Sequence, residues 1–129
     1  MEHRLQLRKQ GNWIVLDDAY NSNKNGFKAA LDTLAMFKEL RILMTPGMVE
    51  LGDRQYQENK EAGIYAADKC DYAILVGKEQ TKPIQDGLAE AGFAHNRMIV
   101  VDTLQEALQM VNAIPNERQK VVLIENDLP

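Results

Sequence analysis

Four short runs in this chain are apolar at every position: Ile42–Met44, Ala73–Val76, Met98–Val101 and Val121–Ile124. A strand with one face in water alternates apolar and polar residues. These runs do not alternate, so both of their faces must be covered, as in a parallel sheet packed between helices. Parallel strands cannot be joined by a tight turn and need a long crossover, usually a helix. The intervening segments supply it. Phe27, Ala30, Leu31 and Leu34 recur at helical spacing, as do Ala62, Ala66, Ala67 and Cys70, and then Ile84, Leu88 and Ala91 before Gly92. Thr103 and Glu106 have capping-box spacing ahead of Leu104, Ala107, Leu108 and Val111, and Pro115 and Asn116 end that helix.

The N-terminal segment differs. Arg4–Leu7 alternates, a polar turn with Gly11 follows, and Trp13–Leu16 is a second strand, which predicts an antiparallel hairpin. The fold expected is therefore α/β: a doubly wound, mostly parallel, Rossmann-like sheet with an antiparallel edge hairpin at the N-terminus. At 129 residues the chain is expected to be one domain. It stops soon after a buried-looking strand, where such domains commonly continue into a covering helix. The expectation is a fragment of a longer protein, weighed against a small native domain.

Ligands of such sheets bind beyond the carboxyl ends of the strands. Two of those ends are long and chemically dense: Asp17–Asn23 and Thr45–Gly52. The others are Gly77-Lys78, Asp102-Thr103 and Glu125-Asn126-Asp127. A site between the first two loops is the leading expectation. Asp and Asn also cap helices and close turns. For Asp18 the functional and structural readings stand about level, and for Gly47 and Gly52 turn geometry suffices.

Several chemistries are excluded by what the sequence lacks. There is no phosphate-binding G-x-x-x-x-G-K-[ST] loop, no G-x-G-x-x-G after the first strand, and no G-x-S-x-G elbow. A phosphoacceptor receiver domain needs an Asp ending its third strand and a Lys ending its fifth. Here those positions read Val76-Gly77 and Glu125-Asn126. The two histidines, His3 and His95, have no ligand spacing, and the single cysteine, Cys70, reads as core. No metal site is expected. The net charge of −4 argues against nucleic acid, which needs a basic face. No apolar run reaches the roughly 18 to 20 residues of a membrane span, and the charged first ten residues contain no apolar core of a signal peptide. A cytoplasmic setting without membrane insertion is expected.

The opening "HRLQ", the glycine turn, "VLDDAYNSN" and "GMVELG" together resemble the C-terminal domain of the Mur ligases. The match runs from about His3 to Leu128. Three segments depart from the family pattern: Lys24 stands where proline is usual, Thr45-Pro46 replaces Gly-Asp, and "IENDLP" replaces a "KGSR" strand end. The resemblance implies the last domain of a three-domain cytoplasmic enzyme of peptidoglycan synthesis. Its N-terminal and central domains would hold the UDP-sugar, the phosphate loop and magnesium. The reaction implied is ADP-forming: ATP phosphorylates a UDP-N-acetylmuramoyl peptide, and an incoming amino acid or dipeptide, here D-alanyl-D-alanine, attacks it. The C-terminal domain receives that amine and closes over ATP, and alone would be inactive. By the same resemblance, Arg4, Asp18, Tyr20 and Asn21 would face the nucleotide, with Ser22, Asn23 and Glu50 on the substrate side. The alternative is a standalone α/β module that binds a small ligand without catalysis.

Overall fold

A computed structural model describes residues 5–18, 23–115 and 119–125. It contains the sheet and helices expected. The strands are β1 (Gln6–Gln10), β2 (Trp13–Asp18), β3 (Leu40–Thr45), β4 (Tyr72–Val76), β5 (Met98–Val101) and β6 (Lys120–Glu125). The helices are α1 (Lys24–Ala35), α2 (Gln55–Ala66), α3 (Lys82–Glu90) and α4 (Leu104–Ala113). The six strands form one sheet in the order β1-β2-β6-β3-β4-β5, parallel except for the β1–β2 hairpin.

The hairpin is set two or three residues later than the alternation suggested. Gln6 lies opposite Asp17 and Gln10 opposite Trp13, so the turn is Gly11-Asn12 alone. Gly11 has φ of 62°, which a tight hairpin turn requires and glycine adopts at little cost. Arg8 and Lys9, read as turn residues, belong to the strand. All five β1 residues are exposed, so no apolar pattern marked its extent. Charged side chains suit such an edge because they discourage pairing with another chain.

Two apolar layers follow from the side-chain alternation. Leu16, Leu123, Leu43 and Leu75 face α1, α2 and α3, and pack with Phe27, Leu31, Leu34, Ala62, Ile84 and Leu88. Ile42, Met44, Ile74, Val76 and Val122 face the other way, onto Ala107, Val111 and Ile114 of α4. Successive crossovers from β2 to β5 run in one direction and keep their helices on one face. The return from β5 to β6 reverses direction, so α4 lies on the opposite face, as right-handed connections demand. The reversal places β6 between β2 and β3.

Local sequence explains the helix ends. Asn23 caps α1, its side chain accepting from the Gly26 N–H at 2.8 Å. Lys24 therefore occupies the first helical position, where a proline would also fit; its presence leaves the helix start in place. Thr103 and Glu106 form the reciprocal capping box of α4. Replacing Thr103 by alanine should cost about 1 kcal/mol. Urea unfolding should show it as a lowered midpoint with an unchanged slope.

Cys70 is buried as expected, but beyond the end of α2 rather than on it. The buried face of α2 is Asn59, Ala62, Gly63 and Ala66. Burial pushes the Cys70 thiol up to about 12, so it is no nucleophile at neutral pH. Glu58, Lys60 and Glu61, read as a solvated face, pair with Arg54, Glu90 and Lys24 respectively.

Candidate functional site

Three polar residues lie in a row across the carboxyl edge of the sheet. Asp18 ends β2, Glu125 ends β6 and Thr45 ends β3. Asp18 is the direct cross-strand partner of Glu125. Thr45 follows Met44, which is paired with Ile124. All three continue the side-chain series of Leu16, Leu123 and Leu43, and so face the α1–α3 layer. All three are buried.

The Thr45 hydroxyl ties β3 to its neighbour. It donates to the Glu125 main-chain carbonyl at 2.8 Å and accepts from the Gly47 N–H at 3.0 Å. The loop beyond is fixed from below by Asn59 of α2. The Asn59 amide nitrogen donates to the carbonyls of Met48 (2.9 Å) and Gln55 (2.8 Å), while its oxygen accepts from the Met48 N–H (2.8 Å). Gln80 donates to the Pro46 carbonyl at 2.6 Å. Gly47 has φ of 89°, and a Cβ there would lie 3.1 Å from the Asn59 side-chain oxygen. The turn reading of Gly47 thus has a steric basis as well as a conformational one.

Glu50 stands on this loop with an exposed side chain and φ of 62°. Among the described residues it is the single non-glycine position with positive φ. Such a conformation is disfavoured by clashes at Cβ. It persists here between a clamped turn and Gly52, itself at φ 61°. The loop is therefore held in one shape and presents the Glu50 carboxyl outward.

Electrostatically the row is unusual. Glu125 is fully buried, and neither carboxyl oxygen has a hydrogen-bond partner among the described residues. Burial first, and then the proximity and charge of Asp18, push its carboxyl up to about 11. It is a neutral acid at physiological pH. Asp17, one residue before Asp18, points to the other face and meets Arg8 at 2.6 Å.

Of the residues expected at the site, Asp18 lies in this row. Asn23 is committed through its side chain to capping α1, and Glu50 is presented from the neighbouring loop. Arg4, Tyr20, Asn21 and Ser22 lie outside the described residues. Sequence reading did not single out Glu125, Thr45 or Asn59. Glu125 had a signal, an acid closing an otherwise apolar strand at a carboxyl end. Asn59 had none, because its clamp depends on a loop eleven residues away.

A second concavity of about 430 Å³ lies at the other end of the sheet, among Ile64, Tyr65, Lys69 and Phe93. Its polar groups are internally engaged: the Tyr65 hydroxyl donates to Asp32, and the Lys69 ammonium sits 4.4 Å from the Tyr65 ring centre. It lies away from the strand ends where ligands of this fold bind. Among the described residues no cluster of His, Cys, Asp and Glu could hold a metal ion, and no helix is long and apolar enough to cross a membrane.

Comparison with known proteins agrees with this architecture. A UDP-N-acetylmuramoyl-tripeptide–D-alanyl-D-alanine ligase from Haemophilus influenzae is 41% identical over 54 residues, 42% of this chain and 12% of that enzyme. The crystal structure of MurF from Acinetobacter baumannii superposes on 98% of the chain with a TM-score of 0.79 at 22% identity. MurF ligase from Thermotoga maritima, solved in complex with ADP, superposes on 98% with a TM-score of 0.75 at 18% identity. The chain covers 27% and 28% of those two solved chains, about a quarter of their length. The family model described as "Mur ligase, glutamate ligase domain" matches residues 3–125. With its sheet order and that match in agreement, the chain belongs to the Mur ligase C-terminal domain family.

Proposed function

We propose that this chain serves as the substrate- and nucleotide-closing domain of an ADP-forming amide ligase of peptidoglycan precursor synthesis, acting in the cytoplasm. The acceptor would be a UDP-N-acetylmuramoyl peptide and the incoming amine D-alanyl-D-alanine. The observation that carries this reading is the buried polar row at the carboxyl edge of the sheet, in a chain of this family. Its chemistry suits holding and orienting ligands. An orphaned buried carboxyl, a carboxylate beside it and a rigid loop can position hydroxyl and amine groups. They offer no phosphate loop of their own.

The nucleotide would meet Asp18, with Arg4, Tyr20 and Asn21 beside it, and ATP when bound supplies the phosphoryl group that activates the acceptor. The Arg4 guanidinium matches phosphate oxygens with its donor fork. Ser22 and Glu50 would face the incoming amine, and Asn23, as cap of α1, sets where that side begins. Magnesium and the phosphate loop would come from a central domain preceding this one in a three-domain enzyme.

The 129-residue chain alone should release no ADP from ATP. A longer product of the same gene should do so in a manner requiring both UDP-N-acetylmuramoyl tripeptide and D-alanyl-D-alanine, measured by coupled ADP release. An open reading frame without an upstream nucleotide-binding domain would instead favour a binding module without catalysis. Activity indifferent to D-alanyl-D-alanine would reject the assigned amine.

A further inference from the structure

Glu125 is fully buried with two unsatisfied oxygens, and buried polar groups are rarely left so without a role. An ionised carboxylate without a partner is too costly there, so the group carries its proton. A neutral carboxyl has one O–H to donate. Among the described residues, the elements beside it supply the following polar groups. On the β3 side, the Thr45 hydroxyl donates to the Glu125 main chain and accepts from Gly47. On the α1 side, Phe27 and Leu31 are apolar core, and Lys24 reaches outward to Glu61 at 3.7 Å. The α4 face of the sheet lies on the other side of β6. The titratable group opposite Glu125 is Asp18, its cross-strand partner on the same face. Asp18 lies near enough to raise the Glu125 carboxyl's hold on its proton.

We propose that Glu125 is a positioning residue: it remains a neutral acid and directs its proton to Asp18, fixing the carboxylate that Asp18 turns toward its ligand. The part of this inference that concerns the ligand rests on the nucleotide reading above. The proton arrangement does not. One proton is held between the two carboxyls.

Three readouts test it in sequence. In the 129-residue chain, the carbon-13 carboxyl signal of Glu125, assigned by its loss in Glu125→Gln, should show no titration between about pH 5 and pH 9. Titration near the ordinary glutamate value would overturn the proposal. If Glu125 stays neutral, the folded chain holds a proton that the unfolded chain releases above the ordinary glutamate value. The parent should therefore lose stability relative to Glu125→Gln as pH rises through the ordinary glutamate range and beyond. A melting-temperature gap that stays constant with pH would also overturn it.

In the longer ligase, Glu125→Gln keeps a donor and should raise the KM for ATP at most about threefold. Glu125→Leu removes it and should raise that KM by about tenfold or more, with a smaller change in kcat. Equal effects of the two would reject positioning, since a purely structural role would not distinguish an amide donor from a hydrocarbon. If the ligase shows no ATP dependence at all, the nucleotide reading fails, and the first two readouts still decide the proton pair.

Discussion

Replacing Gly87 by alanine should destabilise the chain by about 3 kcal/mol, at the upper end of ordinary overpacking. That corresponds to a fall in Tm on the order of 10 °C for a domain of this size. Helix propensity predicts the opposite sign, because alanine is favoured over glycine inside a helix by about 1 kcal/mol. The packing decides it. A Cβ on Gly87 would lie 2.1 Å from the Lys60 carbonyl oxygen and 2.9 Å from the Ile64 nitrogen. A Cβ on Gly63, across the same contact, would lie 2.5 Å from the Ile84 carbonyl oxygen. These neighbours are backbone atoms of α2 and α3 and cannot swing aside as a side-chain tip can. The two helices must separate, and Ile84 and Leu88 lose part of their packing against the sheet. Thermal melting of Gly87→Ala against the parent measures it. An alanine variant as stable as the parent would mean that the helices slide apart freely and that their close approach contributes little.

Replacing Asp18 by asparagine in the longer ligase should lower the ATP-dependent rate by about tenfold or more, roughly 1.4 kcal/mol in the barrier. The amide has nearly the same shape and still offers an oxygen to the Glu125 proton. It lacks the charge. Stability of the 129-residue chain should change little, since shape and a hydrogen-bonding oxygen are kept. Steady-state kinetics at varied ATP, together with thermal melting, separates the readings. Unchanged kinetics with a lowered melting temperature would make Asp18 a turn residue. A lowered rate with unchanged melting would place its charge in the chemistry.

The sheet was legible because its inner strands advertise themselves. Ile42–Met44 and Val121–Ile124 are apolar on both faces, and only a covered parallel strand tolerates that. Their observed ends, Leu40–Thr45 and Lys120–Glu125, run one or two residues further. The extra residues are polar or lie next to loops, and they gain strand geometry from neighbours rather than from their own pattern. Lys120 is one of them, buried with its ammonium on the Val111 carbonyl at 2.6 Å. Edge strand β1 was misplaced for a related reason: its pairing depends on Trp13–Asp17, while its own side chains are all in water.

At the site, Asp18 could be singled out because it stands in a dense polar stretch after an apolar strand. Glu125 could be listed as a strand end but not recognised as buried, since its burial is set by Asp18 and Thr45 from distant parts of the chain. Gly63 and Gly87 carried no mark either. A glycine within a helical period looks like a weak helix former until the partner helix is known to press against it.

The position of β6 has a consequence for how the chain acquires its shape during synthesis. Every other strand precedes it, yet it lies between β2 and β3 and is hydrogen-bonded to both. Until its residues leave the ribosome, the hairpin with α1 and the β3–β4–β5 unit can each form locally but cannot join. Each presents an unpaired apolar strand edge in the meantime, the kind of surface on which nascent chains associate wrongly. Closing the gap requires the chain to return across the face opposite α1–α3 and thread β6 between two preformed halves. Such late, long-range pairing carries a high loop-closure cost and folds slowly. The carboxyl edge that bears Asp18, Glu125 and Thr45 comes into being in that same last event, so a nascent chain has no version of the site before the whole sheet is complete.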